Sequence, residues 1–177
     1  MKWAAMLRGI NLGKRQLKKD ELIAAAEALG YAGARTLLAS GNLVFDAGDA
    51  DAQTIEHDLH ASVIKLHALK SDVFVRNLAD LRGVIADNPF ADAADARPSK
   101  LLVTFYREAV PATLLEQLAA RYHGPERLRA AGRELYIDFP DGQARSELLP
   151  VMAKLKFPSN TGRNWNTVTK LAEMLAP

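Results

Sequence analysis

A chain of 177 residues, 49% hydrophobic and 25% charged, suffices for one ordinary domain or two small ones and is too apolar for a disordered segment. The absence of cysteine excludes a disulfide framework, thiolate catalysis, iron–sulfur ligation and cysteine-based zinc sites. The net charge of +2 is unevenly spread, with basic ends (residues 1–20 and 143–177) around an acidic middle.

Hydrophobic periodicity resolves the first half clearly. An apolar strand over 2–8 runs into the turn-rich Gly9-Ile10-Asn11-Leu12-Gly13. A helix follows from about Lys18 to Leu29, with Leu22, Ile23, Ala26 and Leu29 on one face and Gly30 as its stop. Strands Ala34–Ala39 and Leu43–Asp46 are joined across Ser40-Gly41-Asn42, a hairpin signal. A long helix over Asp51–Ala68 places Ile55, Leu59, Val63 and Leu66 inward, and strand Asp72–Arg76 closes the order strand–helix–strand–strand–helix–strand. That order is the split βαβ, or ferredoxin-like, plan.

The second half repeats most of it. A short helix over Leu78–Ala86 leads into a linker or long loop, Asp87–Ser99. Strand Lys100–Tyr106, a helix over Pro111–Arg121, strands Arg127–Ala131 and Glu134–Phe139, and helical stretches at Ser146–Ala153 and Trp165–Leu175 complete the chain. The expected fold class is therefore α+β: two ferredoxin-like halves, the second incomplete or with extra C-terminal helices. The divisions fall at 1–76, 77–99 and 100–177. No residue-level repeat between the halves is visible.

No dinucleotide-binding or Walker-type glycine loop, nucleophile elbow or His-Glu-x-x-His motif occurs, so neither a cofactor nor a metal is expected. His57, His60 and His67 share a helix, but no pair has the spacing of a helical zinc site. No apolar run approaches the roughly 20 residues of a membrane span, and the first residues lack a secretory pattern. A soluble cytoplasmic protein without membrane association is the expectation.

Four polar segments stand out from an Ala- and Leu-rich background. They contain Arg8 and Asn11; Arg35, Ser40 and Asn42; Arg145; and Arg163, Asn164 and Asn166. Each combines a permanently charged guanidinium with amide or hydroxyl groups, and a glycine lies within or beside it. Two of them precede helices, where unpaired N–H groups favour an anion. The local alternatives are caps and turns: Asn164 or Thr161 capping the last helix, Ser40-Gly41-Asn42 a plain hairpin turn, Ser146 a cap beside an exposed Arg145.

Met6-Leu7-Arg8-Gly9-Ile10-Asn11-Leu12-Gly13, Ala34-Arg35-Thr36 with Ser40-Gly41-Asn42-Leu43-Val44-Phe45, and Thr161-Gly162-Arg163-Asn164-Trp165-Asn166-Thr167-Val168-Thr169-Lys170-Leu171 resemble the bacterial domain of unknown function 1697 family. Leu12, Lys14 and Glu147 depart from its usual pattern. The resemblance implies a compact α+β protein with two ferredoxin-like halves and implies no activity.

Three function classes follow. The first is a binding module for a phosphate-bearing ligand, a nucleotide or short single-stranded nucleic acid, with Arg8, Arg35, Arg145 and Arg163 on phosphate oxygens. Asn11, Asn42, Asn164 and Asn166 would read polar edges. Trp3 and Phe45 are the strand aromatics that could stack bases. The second is a structural or assembly protein whose polar motifs join its halves. An enzyme acting on a phosphoester ranks last, because the motifs hold no His, Cys or Lys placed as base or nucleophile. On the binding reading, segments 8–13, 35–42 and 161–167 converge and Arg163 dominates affinity.

Overall fold

The computed structural model describes residues 1–10, 16–38 and 41–177. Asn11 and Ser40 lie outside the described residues, and no structural account of them follows. The chain forms two compact units, Met1–Gly83 with Thr169–Pro177, and Val84–Val168.

In the first unit β1 (Lys2–Leu7) is followed by α1 (Lys19–Glu27), β2 (Ala32–Leu37), β3 (Asn42–Asp46), α2 (Ala52–His67) and β4 (Val73–Asn77). The strands form one antiparallel sheet in the order β2-β3-β1-β4. Strand alternation sends Trp3, Ala5, Leu7, Leu43, Phe45, Val73 and Val75 into a core with Leu22, Ala25 and Ala26 of α1 and Ile55, Leu59 and Val63 of α2. Tyr31 stacks on Phe45 at 4.9 Å between ring centroids. Leu66, expected inward, is 46% exposed in the last turn of α2. Ser62 is buried instead, because its hydroxyl donates to the Ala25 carbonyl at 2.8 Å and so ties the two helices together. Asp51 caps α2 by accepting from the Thr54 N–H.

Helix α3 (Leu78–Ala86) follows β4 directly. The segment expected to be an unstructured linker contains α4 (Ala91–Ala96). Buried Phe90 and Ala93 hold this short helix down, a contribution that its Asp- and Ala-rich composition conceals. Then come β5 (Leu101–Phe105), α5 (Ala112–Arg121), β6 (Arg127–Ala131), β7 (Glu134–Asp138), a 3₁₀ turn at 143–145, α6 (Leu148–Lys154), β8 (Thr161–Asn164) and α7 (Trp165–Leu175). The second sheet has the order β6-β7-β5-β8, strand for strand the order of the first. The second half is thus a complete split βαβ unit. Its fourth strand, Thr-Gly-Arg-Asn, has no apolar alternation and so carries no strand signal of its own. Its ladder with β5 makes it a strand, with Arg163 opposite Val103 and Thr161 opposite Phe105.

The two units divide inside α3, between Gly83 and Val84, and α7 divides likewise between Val168 and Thr169. In this grouping 77–83 and 169–177 belong with the first unit. Among the described residues no helix is long and apolar enough to cross a membrane.

The duplication reaches individual residues, contrary to the expectation from sequence. Strands β4 and β8 both end in Arg-Asn and both run straight into a helix. Asn77 Oδ1 accepts from the Asp80 N–H at 2.9 Å, and Asn164 Oδ1 accepts from the Thr167 N–H at 3.0 Å. Arg76 and Arg163 are both buried, and each donates through a terminal guanidinium nitrogen to the carbonyl just before it, Val75 and Gly162, at 2.8 Å. Two residues were too short a repeat to find without the alignment of the strands. If both asparagines act as helix caps, Asn77→Ala and Asn164→Ala should each cost about 1 kcal/mol in urea unfolding, with native far-UV circular dichroism retained.

Candidate functional site

The face of the first sheet opposite α1 and α2 carries Lys2, Ala4 and Met6 of β1, with Val44 and Asp46 of β3 as their neighbours. Strand β2 joins this face through a bulge: Ala32 pairs with Asp46, and the next pair is Arg35 with Val44. Regular alternation would put Ala34 on the face that carries Ala32 and turn Arg35 toward the helices. The extra residue reverses this, so Ala34 packs against the helix-side core and Arg35 shares a face with Val44. Gly33 makes the bulge feasible with φ of +62°, a left-handed conformation unfavourable for larger residues.

The end of α7 stands over this face. Met174 and Leu175, together with Lys2, Ala32–Arg35, Val44, Phe45 and Asp46, line a cavity of about 370 Å³. Arg35 donates to the Met174 carbonyl at 3.3 Å and the Lys2 ammonium to the Ala176 carbonyl at 3.5 Å. Two cations therefore meet carbonyls at a helix C-terminus, where unpaired carbonyls and the helix dipole favour positive charge. A mainly apolar cavity flanked by ammonium and guanidinium groups can accept an anionic molecule with an apolar body.

The other expected site residues are distributed as follows. Arg8 is exposed just past the end of β1, its guanidinium 3.8 Å from the Asp72 carboxylate. Its loop meets the β2–β3 hairpin: the Leu7 N–H donates to the Gly41 carbonyl, and a Cβ on Gly41 would lie 2.6 Å from Ile10. Segments 8–10 and 41–42 are thus in contact, while 161–167 belongs to the second unit. Asn42 is wholly buried, and its amide donates to the Leu37 carbonyl, closing the hairpin. Arg145 is exposed on the 3₁₀ turn, Asn164 caps α7, and Asn166 is exposed in the first turn of that helix.

Arg163, expected on a loop before a helix, lies on β8 and is 8% exposed. Its guanidinium donates to Thr161 Oγ1 at 2.7 Å, and burial pushes its pKa down to about 10. Trp3 and Phe45 are buried as well, which removes both proposed base-stacking surfaces. Each fell on the core side of its strand.

Two features escaped the sequence reading. Lys2 was counted only as part of the basic N-terminus; its parity with Ala4 in the strand was the available signal. The other is a charge cluster in the second unit. Asp138, buried in β7, accepts from Arg97 Nε at 2.8 Å and from Arg127 Nε at 2.9 Å, while Asp92 accepts from Arg127 at 2.6 Å. The Arg127 guanidinium also lies over Phe90, 4.7 Å from the ring centroid. Sequence separations of 41 and 11 residues hid these pairings. Among the described residues no group of three or more His, Cys, Asp or Glu could hold a metal ion. The rings of His60 and His67 instead face the carbonyls of Ser71 and Glu21, at 2.6 and 3.0 Å. A carbonyl only accepts, so each facing ring nitrogen carries the proton.

A family model described as "Protein of unknown function (DUF1697)" matches residues 1–136. The chain belongs to this family. No curated protein matches it. A solved structure described as the conserved bacterial protein SP0830 from Streptococcus pneumoniae is similar in fold, with a TM-score of 0.75 at 21% identity, over 99% of this chain and 98% of that one. The α+β architecture of this DUF1697 member is therefore shared with that bacterial protein across essentially its whole length.

Burial raises the Asp138 pKa, but the hydrogen bonds and charges of Arg97 and Arg127 outweigh it and hold the carboxyl below its ordinary value. A depressed native pKa contributes stability above the unfolded value of about 3.9, and that contribution disappears as pH falls through the native value. Asp138→Asn should therefore lower stability by roughly 2–3 kcal/mol at pH 7. Thermal melts should show this deficit constant from pH 7 to about 5 and shrinking only below about pH 4.

Proposed function

We propose that this DUF1697 protein is a binding module for a small phosphate-bearing ligand, taken up at the cavity between the β2 bulge and the end of α7. The observation carrying this reading is that Lys2 and Arg35 line one cavity of about 370 Å³ whose remaining wall is apolar apart from Asp46, a carboxylate held by the N-terminal ammonium and the Gly48 N–H. That size lies within the range of small-molecule sites, and it suits a mononucleotide better than an extended strand. In this arrangement the two cations engage phosphate oxygens, while Val44, Met174 and Leu175 receive the apolar face of the attached group. Burial of Trp3 and Phe45 weighs against recognition of single-stranded nucleic acid by stacking.

A second reading assigns the Arg- and Asn-rich motifs to architecture. It is favoured by Asn42, Arg163 and Asn164, all of which bond within their own hairpin, strand or helix start. The two readings concern different residues and are separable. Calorimetric titration of the full chain with a mononucleotide panel and inorganic phosphate, at two salt concentrations, tests the first. Arg35→Ala and Lys2→Ala should each weaken binding roughly 10- to 150-fold, as expected for loss of a charge-assisted hydrogen bond, and leave the melting temperature nearly unchanged. A wild type without salt-sensitive phosphate affinity would end this reading. Arg163→Ala should instead lower the melting temperature without changing affinity.

A further inference from the structure

The second unit holds another cavity, and it lies against a sheet edge. Leu115, Leu118, Ala119 and Tyr122, spaced to form one face of α5, enclose about 380 Å³ with Leu128, Arg129 and Ala130 of β6 and Leu135 of β7. Strand β6 is terminal in its sheet, and among the described residues no strand lies on its outer side. The space is therefore bounded by an amphipathic helix on one side and an open strand edge on the other. Tyr122 forms a fixed wall: its hydroxyl donates to Glu126 at 2.6 Å, and a Cβ on Gly124 would come within 2.1 Å of that hydroxyl. A larger residue there would have to displace the tyrosine hydroxyl.

We propose that this groove accepts an extended acidic peptide, which adds a strand to the edge of β6 and inserts apolar side chains toward α5. Strand addition draws affinity from main-chain hydrogen bonds and specificity from pockets that receive alternate side chains. Strand β6 supplies both, with exposed Arg129 between half-buried Leu128 and Ala130, while the neighbouring Arg127 is held by Asp92 and Asp138. Arg121 at the end of α5 adds a further exposed cation. Glu126, the carboxylate nearest in sequence, is engaged by Tyr122. Charge also decides between occupants. Antiparallel pairing of β6 with a second copy in the register that sets Arg129 opposite its own counterpart is destabilising, whereas an acidic strand is complementary. Arginines on an edge strand also deter indiscriminate pairing, consistent with a selective edge.

The test uses the full chain and fluorescein-labelled hexapeptides of alternating Val and Glu, read by anisotropy. Saturable binding of the Val/Glu peptide is expected, at least tenfold tighter than that of a Val/Lys peptide. Arg129→Glu should reverse this preference while the melting temperature stays near the wild-type value. Methylating the backbone nitrogens on one edge of the peptide should abolish binding, and amide shifts should centre on 128–130. Equal binding of both peptides, binding indifferent to N-methylation, or shifts centred elsewhere would overturn the proposal. So would sedimentation and amide shifts showing that β6 already pairs with a second copy. Loss of phosphate affinity in Arg35→Ala leaves this outcome untouched, so the two sites fail independently.

Discussion

Burial on both faces of the sheets is the constraint that organises this protein. A strand exposed on one side can alternate polar and apolar residues, but a strand covered on both sides must be apolar almost throughout. Strands β1 and β5 obey this: Trp3 to Leu7 and Leu101 to Phe105 are buried or nearly so without regard to parity. Charged groups are consequently confined to strand ends and to the outer strands. Arg76 and Arg163 stand on outer strands β4 and β8, and Arg35 and Arg129 on outer strands β2 and β6. The cross-strand row in the first sheet reads Arg76, Ala4, Val44, Arg35, and in the second Arg163, Val103, Tyr136, Arg129. The same scheme has been used twice with different fillings.

The differences between those fillings bear on function. In the first row, small Ala4 and Val44 lie between the arginines, and the bulge at Gly33 holds Arg35 beside a cavity. In the second row, Tyr136 occupies the corresponding place and donates its hydroxyl to the Val84 carbonyl at 2.7 Å. Duplicated halves commonly free one copy to diverge. Here the cavities also fall on different faces, one beside the end of α7 and the other under α5.

Most of the architecture was legible because it depends on local signals. Apolar runs mark β1 and β5, the Gly132 turn marks the β6–β7 hairpin, and the 3.6-residue spacing of Ile55, Leu59 and Val63 marks α2. What was not legible depends on partners distant in sequence. Thr161–Asn164 becomes a strand only through its ladder with β5, and α4 depends on the burial of Phe90 and Ala93. The candidate site was legible in composition but not in geometry. Arg35 and Lys2 could not be paired from sequence, because the bulge that turns Arg35 onto the face of Lys2 is a change of parity that alternation alone does not reveal. Arg163 was misplaced for the opposite reason: a guanidinium in a polar segment looks solvent-facing until its strand is recognised.

The composition of the first unit has a consequence for how the protein is made. Its closing segment, Thr169–Pro177, is synthesised only after the 85 residues of Val84–Val168, although the sheet it covers was complete by Asn77. During translation that sheet therefore waits with Val44 and the bulged strand uncovered, and the Lys2–Arg35 cavity has no outer wall until Met174 and Leu175 leave the ribosome. The nascent chain passes through a stage in which the helix-side core can form while the Lys2–Arg35 cavity does not yet exist. The wall of that cavity is thus supplied only after the whole of the second unit has been synthesised.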